Sequence, residues 1–413
     1  MATLLLRYTK WNKYSFAALI GALEVDDRFE NLKISFLKNI TQDIQQVLNN
    51  EELCVVAYSL LSSHFIDIQR EIKKIKEKFR GNIFLVAGGP HATARPKQVL
   101  EAGFDAVIIG EGEKSFPELL YRIVKGYEWN DIPGVAFFDS STKFQLNPPQ
   151  RIENLDNFPP FSLRYGLFSP IEISRGCPFG CKMCQTPRIF GFKMRHRSID
   201  CIVKWAKIAV KRGYDKMWFI SPNSFAYGSV TGKELKIEKI EKLLKAISEI
   251  NELEGIYFGT FPSEVRPEFV TKEVLDVVSK YVSNDRIIVG AQSGSQRILN
   301  IINRGHTIDD VYRAVDNLLD YGFTPDIDLI FGFPFENEED RKLTLKMIRY
   351  LISKGCRIHA HVFMPLPGTP FENYPPGKLD NQTKRILGDL ARRRLLYGSW
   401  AAQEKLAEIL SSL

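Results

Sequence analysis

The sequence predicts an α/β protein with two architectures in one chain. An N-terminal doubly wound Rossmann-like domain precedes a partial (β/α)6 TIM-type barrel, which ends in a short helical C-terminal extension. Three observations lead to this prediction. Short apolar runs alternate with amphipathic helical patterns over residues 1–140, a proline-rich stretch follows, and six further apolar runs recur after residue 170. A chain of 413 residues is also long for a single domain.

The N-terminal alternation indicates a parallel sheet covered by helices. The strand candidates are Thr3–Arg7, Leu53–Ser59, Ile83–Ala87 and Ala106–Ile109, and the helix candidates are Tyr14–Leu23 and Ile68–Phe79. Such sheets bind ligands beyond the carboxyl ends of their strands. Glycine-rich turns follow two of these ends, where glycine lets the backbone approach a large flat ligand.

Residues 141–165 are expected to form a linker, because proline pairs favour extended chain over helix. The barrel is expected over residues 166–368 and the helical extension over residues 369–413. Helical patterns such as Ile237–Ile250 and Thr307–Leu319 separate the barrel strands. The six strand candidates are Ile171–Ser174, Lys216–Ser221, Ile256–Phe261, Arg286–Ala291, Asp326–Phe331 and His359–Phe363. Functional residues should lie at the carboxyl ends of these strands.

The composition is that of an ordinary soluble protein, with 44% hydrophobic and 25% charged residues. No apolar run approaches the ~20 residues that cross a bilayer. The net charge of +7 permits an acidic ligand but does not indicate nucleic acid. Six cysteines without a secretory signal disfavour a disulfide framework, and a cytoplasmic location is expected.

Half of the cysteines lie within eight residues, as Cys177, Cys181 and Cys184. Three thiolates on one loop can hold three irons of a [4Fe–4S] cluster and leave the fourth iron open for another ligand. A zinc site is the alternative, although zinc sites usually show paired C-x2-C units or accompanying histidines. His196 is close in sequence, but it lies in a basic run that favours a solvated or anion-binding surface.

The C-x3-C-x2-C spacing resembles the signature of the radical S-adenosylmethionine (SAM) enzymes. The resemblance implies that the open iron binds SAM and that Met183 contacts adenine. It also implies that Ser293 and Arg304 bind the methionine part of SAM, since an α-carboxylate favours arginine and hydroxyl donors. Ile330 and Gly332, on the fifth strand, would flank the adenine.

The N-terminal domain resembles the cobalamin-binding domain that precedes many radical SAM enzymes. The residues that carry this resemblance, and that are implied to bind cobalamin, are Ser59, Ser62, Gly88, Gly89, Pro90, His91, Gly110, Glu111, Gly112 and Glu113. The Asp-x-His-x-x-Gly motif of mutases is not present, and the segment from Thr9 to Tyr14 occupies the corresponding loop. Cobalamin is therefore expected to bind without a histidine ligand. A domain that kept the fold and lost the cofactor is the alternative.

Two side chains are candidates for catalysis. Tyr227 follows the second barrel strand and could donate or lose a proton, although tyrosines in such places often only pack. His361 shares one face of the sixth strand with His359. If that face points inward, His361 could contact the substrate or act as a base, and if it points outward, both are surface groups.

The combined resemblance implies a cobalamin-dependent radical SAM C-methyltransferase. Such an enzyme forms methylcobalamin with one SAM and a 5′-deoxyadenosyl radical with another, and it methylates an unactivated carbon. An external electron donor of the ferredoxin or flavodoxin type is implied. The substrate could be another protein, because methanogen enzymes of similar domain order methylate a glutamine of methyl-coenzyme M reductase. The alternatives are a non-methylating rearrangement, cyclisation or C–S bond formation, and a non-catalytic regulator.

Overall fold

The computed structural model describes residues 2–50, 52–79 and 81–411. The chain divides into two compact units, the first ending at Ser169 and the second beginning at Pro170. None of the helices formed by these residues combines the length and the apolar character that a bilayer crossing requires.

The first unit alternates strands and helices in the way that its sequence predicts. Its elements are β1 (Ala2–Leu6), α1 (Lys13–Glu24), β2 (Lys33–Phe36), α2 (Ile40–Asn49), β3 (Leu53–Ser59), α3 (Phe65–Lys78), β4 (Ile83–Gly88), α4 (Pro90–Ala94), α5 (Pro96–Glu101), β5 (Ala106–Ile108), α6 (Gly112–Lys125), β6 (Val135–Phe138) and β7 (Phe144–Leu146). All four predicted strands and both predicted helices are present within a few residues of their expected bounds.

Among the described residues, these strands form one seven-stranded sheet in the order β2-β1-β3-β4-β5-β6-β7. Strands β1 to β5 pair in parallel, whereas β6 and β7 continue the sheet in antiparallel pairing. Strand β7 lies inside residues 141–165, which the sequence analysis expects to be a linker. These residues belong to the first compact unit.

The core of the first unit packs α1 and α6 on β1 and β3. Leu4 and Leu6 are completely buried and belong to one apolar cluster with Phe16 and Ile20 of α1. Each buried side chain of this size contributes about 1.5–3 kcal/mol to the free energy of folding. The core therefore fixes the strand order and leaves the loops at the carboxyl ends to bind ligands.

The second unit contains the six predicted barrel strands. Its elements are β8 (Ile171–Glu172), β9 (Ser174–Arg175), α7 (Thr186–Phe190), β10 (Arg195–His196), α8 (Ile199–Val210), β11 (Lys216–Ile220), α9 (Ile237–Ser248), β12 (Gly255–Tyr257), α10 (Lys272–Tyr281), β13 (Arg286–Gln292), α11 (Gln296–Ile301), α12 (Ile308–Asp320), β14 (Thr324–Phe331), α13 (Glu338–Ser353), β15 (Arg357–Val362), α14 (Asn381–Arg392), β16 (Leu396–Tyr397) and α15 (Trp400–Leu410).

Parallel pairing builds the barrel wall from two sheets, ordered β12-β11-β8 and β13-β14-β15-β16 within the described residues. An isolated parallel bridge between Val265 and Val289 connects the chain that follows β12 to β13. The C-terminal extension adds β16 beside β15, with Leu396 opposite Ile358. The extension therefore forms part of the barrel wall.

Side-chain alternation gives β14 and β15 one apolar face and one polar face. Ile327 and Leu329 are completely buried, and α12 packs on β14. Asp326 and Asp328 point to the opposite face of β14. In the parallel register, Asp328 lies opposite His359. The inner face of the barrel therefore carries ionisable side chains in this region.

Candidate functional site

The three clustered cysteines lie on the loop between β9 and α7. Gly176 precedes them with a φ of +87°, and a Cβ atom there would lie 2.2 Å from the carbonyl oxygen of Lys193. Only glycine permits this close approach of two backbone segments. The amide of Cys177 donates to the carbonyl of Gly191 at 3.1 Å, and the amide of Cys184 donates to that of Cys181 at 3.1 Å. The loop is thus held by its own backbone.

The cysteines are suited to a multi-iron cluster. All three are free thiols, and burial raises the pKa of Cys177 and of Cys184. A bound metal offsets this cost because it binds thiolate. A single zinc ion with Zn–S bonds of ~2.3 Å would bring its sulfurs to about 3.8 Å from one another. Among the described residues, three potential ligand atoms lie within 4.8 Å of one another at Asp328, His359 and His361, but not at the three cysteines. Their wider spacing favours a cluster over zinc.

Arg304 lies between the cysteine loop and the inside of the barrel. Its Nη1 donates to Cys181 Sγ at 3.6 Å and its Nη2 donates to the carbonyl of Gly290 at 2.9 Å. Burial lowers its pKa, but the neighbouring Cys181 opposes this effect, and the net pKa is raised. Its Nε is buried and meets no hydrogen-bond partner among the described residues. This unused donor fits the α-carboxylate of SAM.

A second arginine, Arg266, lies beside the cysteines and is not among the residues predicted from the sequence. The Arg266 guanidinium lies 3.5 Å from the ring centroid of Phe179, and its Nε donates to Glu268 Oε1 at 2.5 Å. Burial and the nearby Arg304 lower its pKa. Arg266 belongs to no recognisable sequence motif, because it lies in an irregular segment that the Val265–Val289 bridge attaches to the barrel.

The other predicted SAM-binding residues lie around the same end of the barrel. Ser293 is fully buried and its Oγ accepts from the amide of Ser295 at 3.1 Å, so it stabilises the turn before α11. Met183 and Ile330 are half-buried against a small apolar cluster. Gly332 has a φ of +75°, and a Cβ there would lie 2.9 Å from backbone atoms of Lys378. Their contacts with SAM stay predictions.

The turn after β11 supplies neutral polar groups. Asn223 is buried, its Oδ1 accepts from the amide of Arg266 at 3.4 Å, and its Nδ2 has no partner within the described part of the chain. Tyr227 is also buried, and its hydroxyl donates to the carbonyl of Arg197 at 2.9 Å. Because this hydroxyl already serves a packing contact, the structure offers no support for the catalytic role predicted for Tyr227.

Four side chains form what we call the inner polar cluster: Glu264, Asp328, His359 and His361. The carboxyl groups of Glu264 and Asp328 are hydrogen-bonded, and His359 Nδ1 lies 2.9 Å from Asp328 Oδ1. Burial raises the pKa of Glu264 to about 8 and that of Asp328 to about 7. The Glu264 residue is nevertheless exposed, so contact with water reduces the rise in its pKa. Burial lowers the pKa of His361 to about 4, so its imidazole is neutral at pH 7.

The predicted cobalamin residues lie at the carboxyl ends of β3, β4 and β5. Gly89 has a φ of +92°, and a Cβ there would lie 2.9 Å from Leu60 N and Ser59 Oγ. His91 is completely buried, with its Nδ1 3.0 Å from Ser62 Oγ. Burial lowers the pKa of His91 to about 4. The His91 side chain therefore braces the turn from inside the domain.

In the turn after β5, side chains again hold the backbone in place. The amide of Gly110 donates to Thr93 Oγ1 at 3.0 Å. Glu111 is buried, accepts from the amide of Ile152 at 3.3 Å and pairs with Arg151 at 3.5 Å. At this edge the polar side chains hold the turns in place, and the glycines leave the backbone accessible to a ligand. This arrangement fits a large ligand that carries its own metal and needs no ligand atoms from the side chains.

The loop after β1 holds no histidine. Trp11 is 59% exposed there, and Lys10 Nζ lies 4.5 Å from the centroid of its ring. The ring of His64 lies 5.7 Å from Trp11. Within the described residues, the loop therefore offers an aromatic surface at the position where mutases carry their histidine motif.

Comparisons with known proteins agree with this geometry. A model of the radical SAM superfamily matches residues 171–348, and a model of the B12 binding domain matches residues 7–120. The first family implies a [4Fe–4S] cluster and SAM, and the second implies cobalamin. The predicted fold class and the three predicted cofactors are thereby confirmed.

One curated relative and two solved structures are similar over most of the chain. An uncharacterized methyltransferase of Pyrococcus horikoshii is 26% identical over 348 residues, covering 80% of this chain and 71% of that protein. The radical SAM methyltransferase TsrM of Kitasatospora setae has a TM-score of 0.68 at 15% identity, covering 91% of this chain and 78% of its own. The cobalamin-dependent SAM radical enzyme OxsB has a TM-score of 0.66 at 17% identity, covering 84% of this chain and 52% of its own.

Proposed function

We propose that this chain, a radical SAM enzyme with an N-terminal B12-binding domain, transfers a methyl group from SAM to an unactivated carbon of its substrate. The observation that carries the proposal is the presence in one chain of a three-cysteine loop with an adjoining arginine and of a B12-binding domain. The relative from Pyrococcus horikoshii, which bears the name of a methyltransferase, supports it.

The chain's own residues would divide the work in the second unit. Cys177, Cys181 and Cys184 would hold the cluster, and Arg304 would bind the carboxylate of SAM through donors that include its unused Nε. When bound, the cluster supplies the electron that cleaves SAM, and cobalamin supplies a carrier for the methyl group. Fixing SAM by a planar guanidinium lowers the entropic cost of the reaction, because the reacting atoms are held in one orientation.

At the level of the substrate, we propose a side chain of another protein, such as a glutamine of methyl-coenzyme M reductase. A ferredoxin- or flavodoxin-type protein would supply electrons, in the cytoplasm. The sequence resemblance to methanogen enzymes of the same domain order supports this proposal. It is tested separately from methyl transfer itself, by offering glutamine-containing peptides of that reductase beside unrelated peptides.

The experiment uses the full chain, reconstituted anaerobically with iron, sulfide and hydroxocobalamin, and SAM with a deuterated methyl group. Under reducing conditions we expect 5′-deoxyadenosine and a product that carries the deuterated methyl group, detected by mass spectrometry. Deoxyadenosine with a product that gains no label would replace methyl transfer by rearrangement, cyclisation or C–S bond formation. A chain that takes up the cluster but no corrin would also remove the proposal.

A further inference from the structure

The inner polar cluster contains three potential metal ligands on two adjacent strands. Asp328 belongs to β14, and His359 and His361 belong to β15, where they are two residues apart and so share one face. One ligand atom from each of the three residues lies within 4.8 Å of the other two. His359 Nδ1 lies 2.9 Å from Asp328 Oδ1 and 3.2 Å from His361 Nε2. A carboxylate oxygen and two imidazole nitrogens thus converge inside the barrel.

The two contacts of His359 Nδ1 are hard to satisfy with neutral side chains alone. A ring nitrogen offers either one proton or one lone pair, so it makes one strong in-plane hydrogen bond. Here two polar atoms lie at hydrogen-bond distance from the same nitrogen. A cation placed among the three atoms would satisfy them together. With metal–ligand bonds of about 2.1 Å, neighbouring ligands lie about 3.0–3.4 Å apart, close to these distances.

Each of the three side chains contacts a further residue that limits how it can turn. Glu264 is hydrogen-bonded to Asp328. The ring of Tyr397 stacks on His359 with centroids 4.3 Å apart and an interplanar angle of 4°. Gln403 Nε2 lies 3.2 Å from His361 Nδ1. Two of these orienting residues come from the C-terminal extension.

We propose that Asp328, His359 and His361 bind a divalent transition-metal ion such as Zn²⁺ inside the barrel. Two imidazoles and one carboxylate are ligands that such ions accept, and three protein ligands leave positions open. The side chain of His359 is 26% exposed, so the site is accessible from solvent. The ion would hold and polarise an oxygen or nitrogen of the substrate. This last role rests on the proposed function, whereas metal binding does not.

Gln403 gives the proposal a specific test. Its Oε1 accepts from the amide of Val362 at 2.9 Å, which turns its NH2 group toward His361 Nδ1. A metal on His361 Nε2 requires the proton on Nδ1, and this proton needs an acceptor. The amide must therefore turn when the metal binds. A carboxylate at this position would accept the proton directly, so Gln403→Glu should strengthen metal binding about tenfold.

The experiment titrates Co²⁺ and Zn²⁺ into the full chain carrying its reconstituted cluster, under anaerobic conditions. We expect one equivalent of tightly bound metal, with Co²⁺ showing the visible bands of nitrogen and oxygen ligation. Asp328→Asn, His359→Ala and His361→Ala should each weaken binding at least tenfold. His64→Gln, in the first unit, is the matched control and should bind as the wild type does. The Cys177→Ala/Cys181→Ala/Cys184→Ala variant should retain the equivalent, which separates this site from the cluster loop.

The proposal is overturned if the wild type binds no such equivalent, or if both histidine variants bind the metal unchanged. Folding of each variant is checked by its iron content and circular dichroism. If a histidine variant fails to fold, Gln403→Glu still tests the site, because its expected result is a gain in metal affinity. Unchanged or weaker metal binding by Gln403→Glu counts against the site. Metal binding and labelled methyl transfer are measured in separate experiments, so a negative result in one does not decide the other.

Discussion

The two units place their sites at the same kind of edge, the carboxyl ends of parallel strands, but they equip that edge differently. In the first unit the polar side chains of the turns point into the domain, as buried His91 and Glu111 show. In the second unit Cys181, Arg304 and His361 surround the site with ionisable groups. A cofactor with its own reactive metal requires a shaped backbone surface, whereas a cluster and SAM require ligands and charges from side chains.

The cysteines of the second unit should give the largest effect. The triple substitution Cys177→Ala/Cys181→Ala/Cys184→Ala should abolish the cluster and all SAM cleavage, because no thiolate is left on the loop to bind iron. Corrin uptake should stay unchanged. Iron, sulfide and corrin analysis measure both. Cys201→Ala, outside the loop on α8, is the control and should retain about four irons. Turnover by the triple variant would contradict the assignment.

Arg304 tests whether a side chain, not the backbone, binds SAM in the second unit. Arg304→Lys keeps the charge but loses the planar fork, so we expect the Kd for SAM to rise about ten- to a hundredfold, or about 1.4–2.8 kcal/mol. Calorimetry on the reconstituted protein measures it. Arg297→Lys is the matched control, since Arg297 pairs with Asp340. An unchanged Kd in Arg304→Lys would mean that another group binds the carboxylate.

Gly89 tests the backbone surface of the first unit against a matched glycine. Gly89 and Gly81 have φ values of +92° and +101°, but only at Gly89 would a Cβ meet other atoms within 4 Å. Alanine should cost about 1 kcal/mol of stability at Gly81, where only the positive φ opposes it, and more at Gly89, where its Cβ would meet backbone atoms of Leu60. Only Gly89→Ala should also lower corrin affinity, about tenfold. Equal corrin uptake by the two variants would show that the turn does not shape the cofactor site.

His91 gives the smallest expected effect, a pH dependence of stability. Its folded-state pKa of about 4 lies below the unfolded value of ~6.5, because burial and the nearby Arg95 disfavour the charged ring. Below about pH 6.5 the unfolded chain binds a proton at His91, whereas the folded chain binds it only near pH 4. The free energy of unfolding therefore falls as the pH is lowered.

Urea unfolding at a series of pH values measures this effect. Between about pH 7 and pH 5.5, the wild type should lose about 1 kcal/mol more than His91→Gln. The variant itself should be less stable at every pH, so the difference in slope is the informative quantity. Equal slopes would mean that His91 titrates normally in the folded protein and that its turn is open to water.

Sequence reasoning predicts the repetitive parts of the fold well. The strand expected over Arg286–Ala291 becomes β13 with one added residue, because buried parallel strands are continuous apolar runs. Strand β2 was not predicted, because a four-residue edge strand whose residues alternate between exposed and half-buried has no continuous apolar run. Strand β7 was not predicted because it has three residues and the proline pair Pro148-Pro149 that follows it favours an irregular chain.

The candidate site divides in the same way. The cysteine loop is contiguous in sequence and could be predicted as a motif. Glu264 and Arg266 lie in irregular chain, which carries no periodic signal. Asp328 could have been found from the sequence, because two carboxylates at alternate positions of an otherwise apolar strand indicate an ionisable inner face. Long-range pairing of β14 with β15 then determines which histidines they meet.

The family match ends at residue 348, before His359, His361, Tyr397 and Gln403. The proposed cluster and SAM residues therefore lie within the family match, whereas both histidines of the proposed metal site, and the two residues that contact them, lie beyond it. An exchange of β15 and the elements after it would replace two of the three proposed metal ligands and leave the cysteine loop and Arg304 in place.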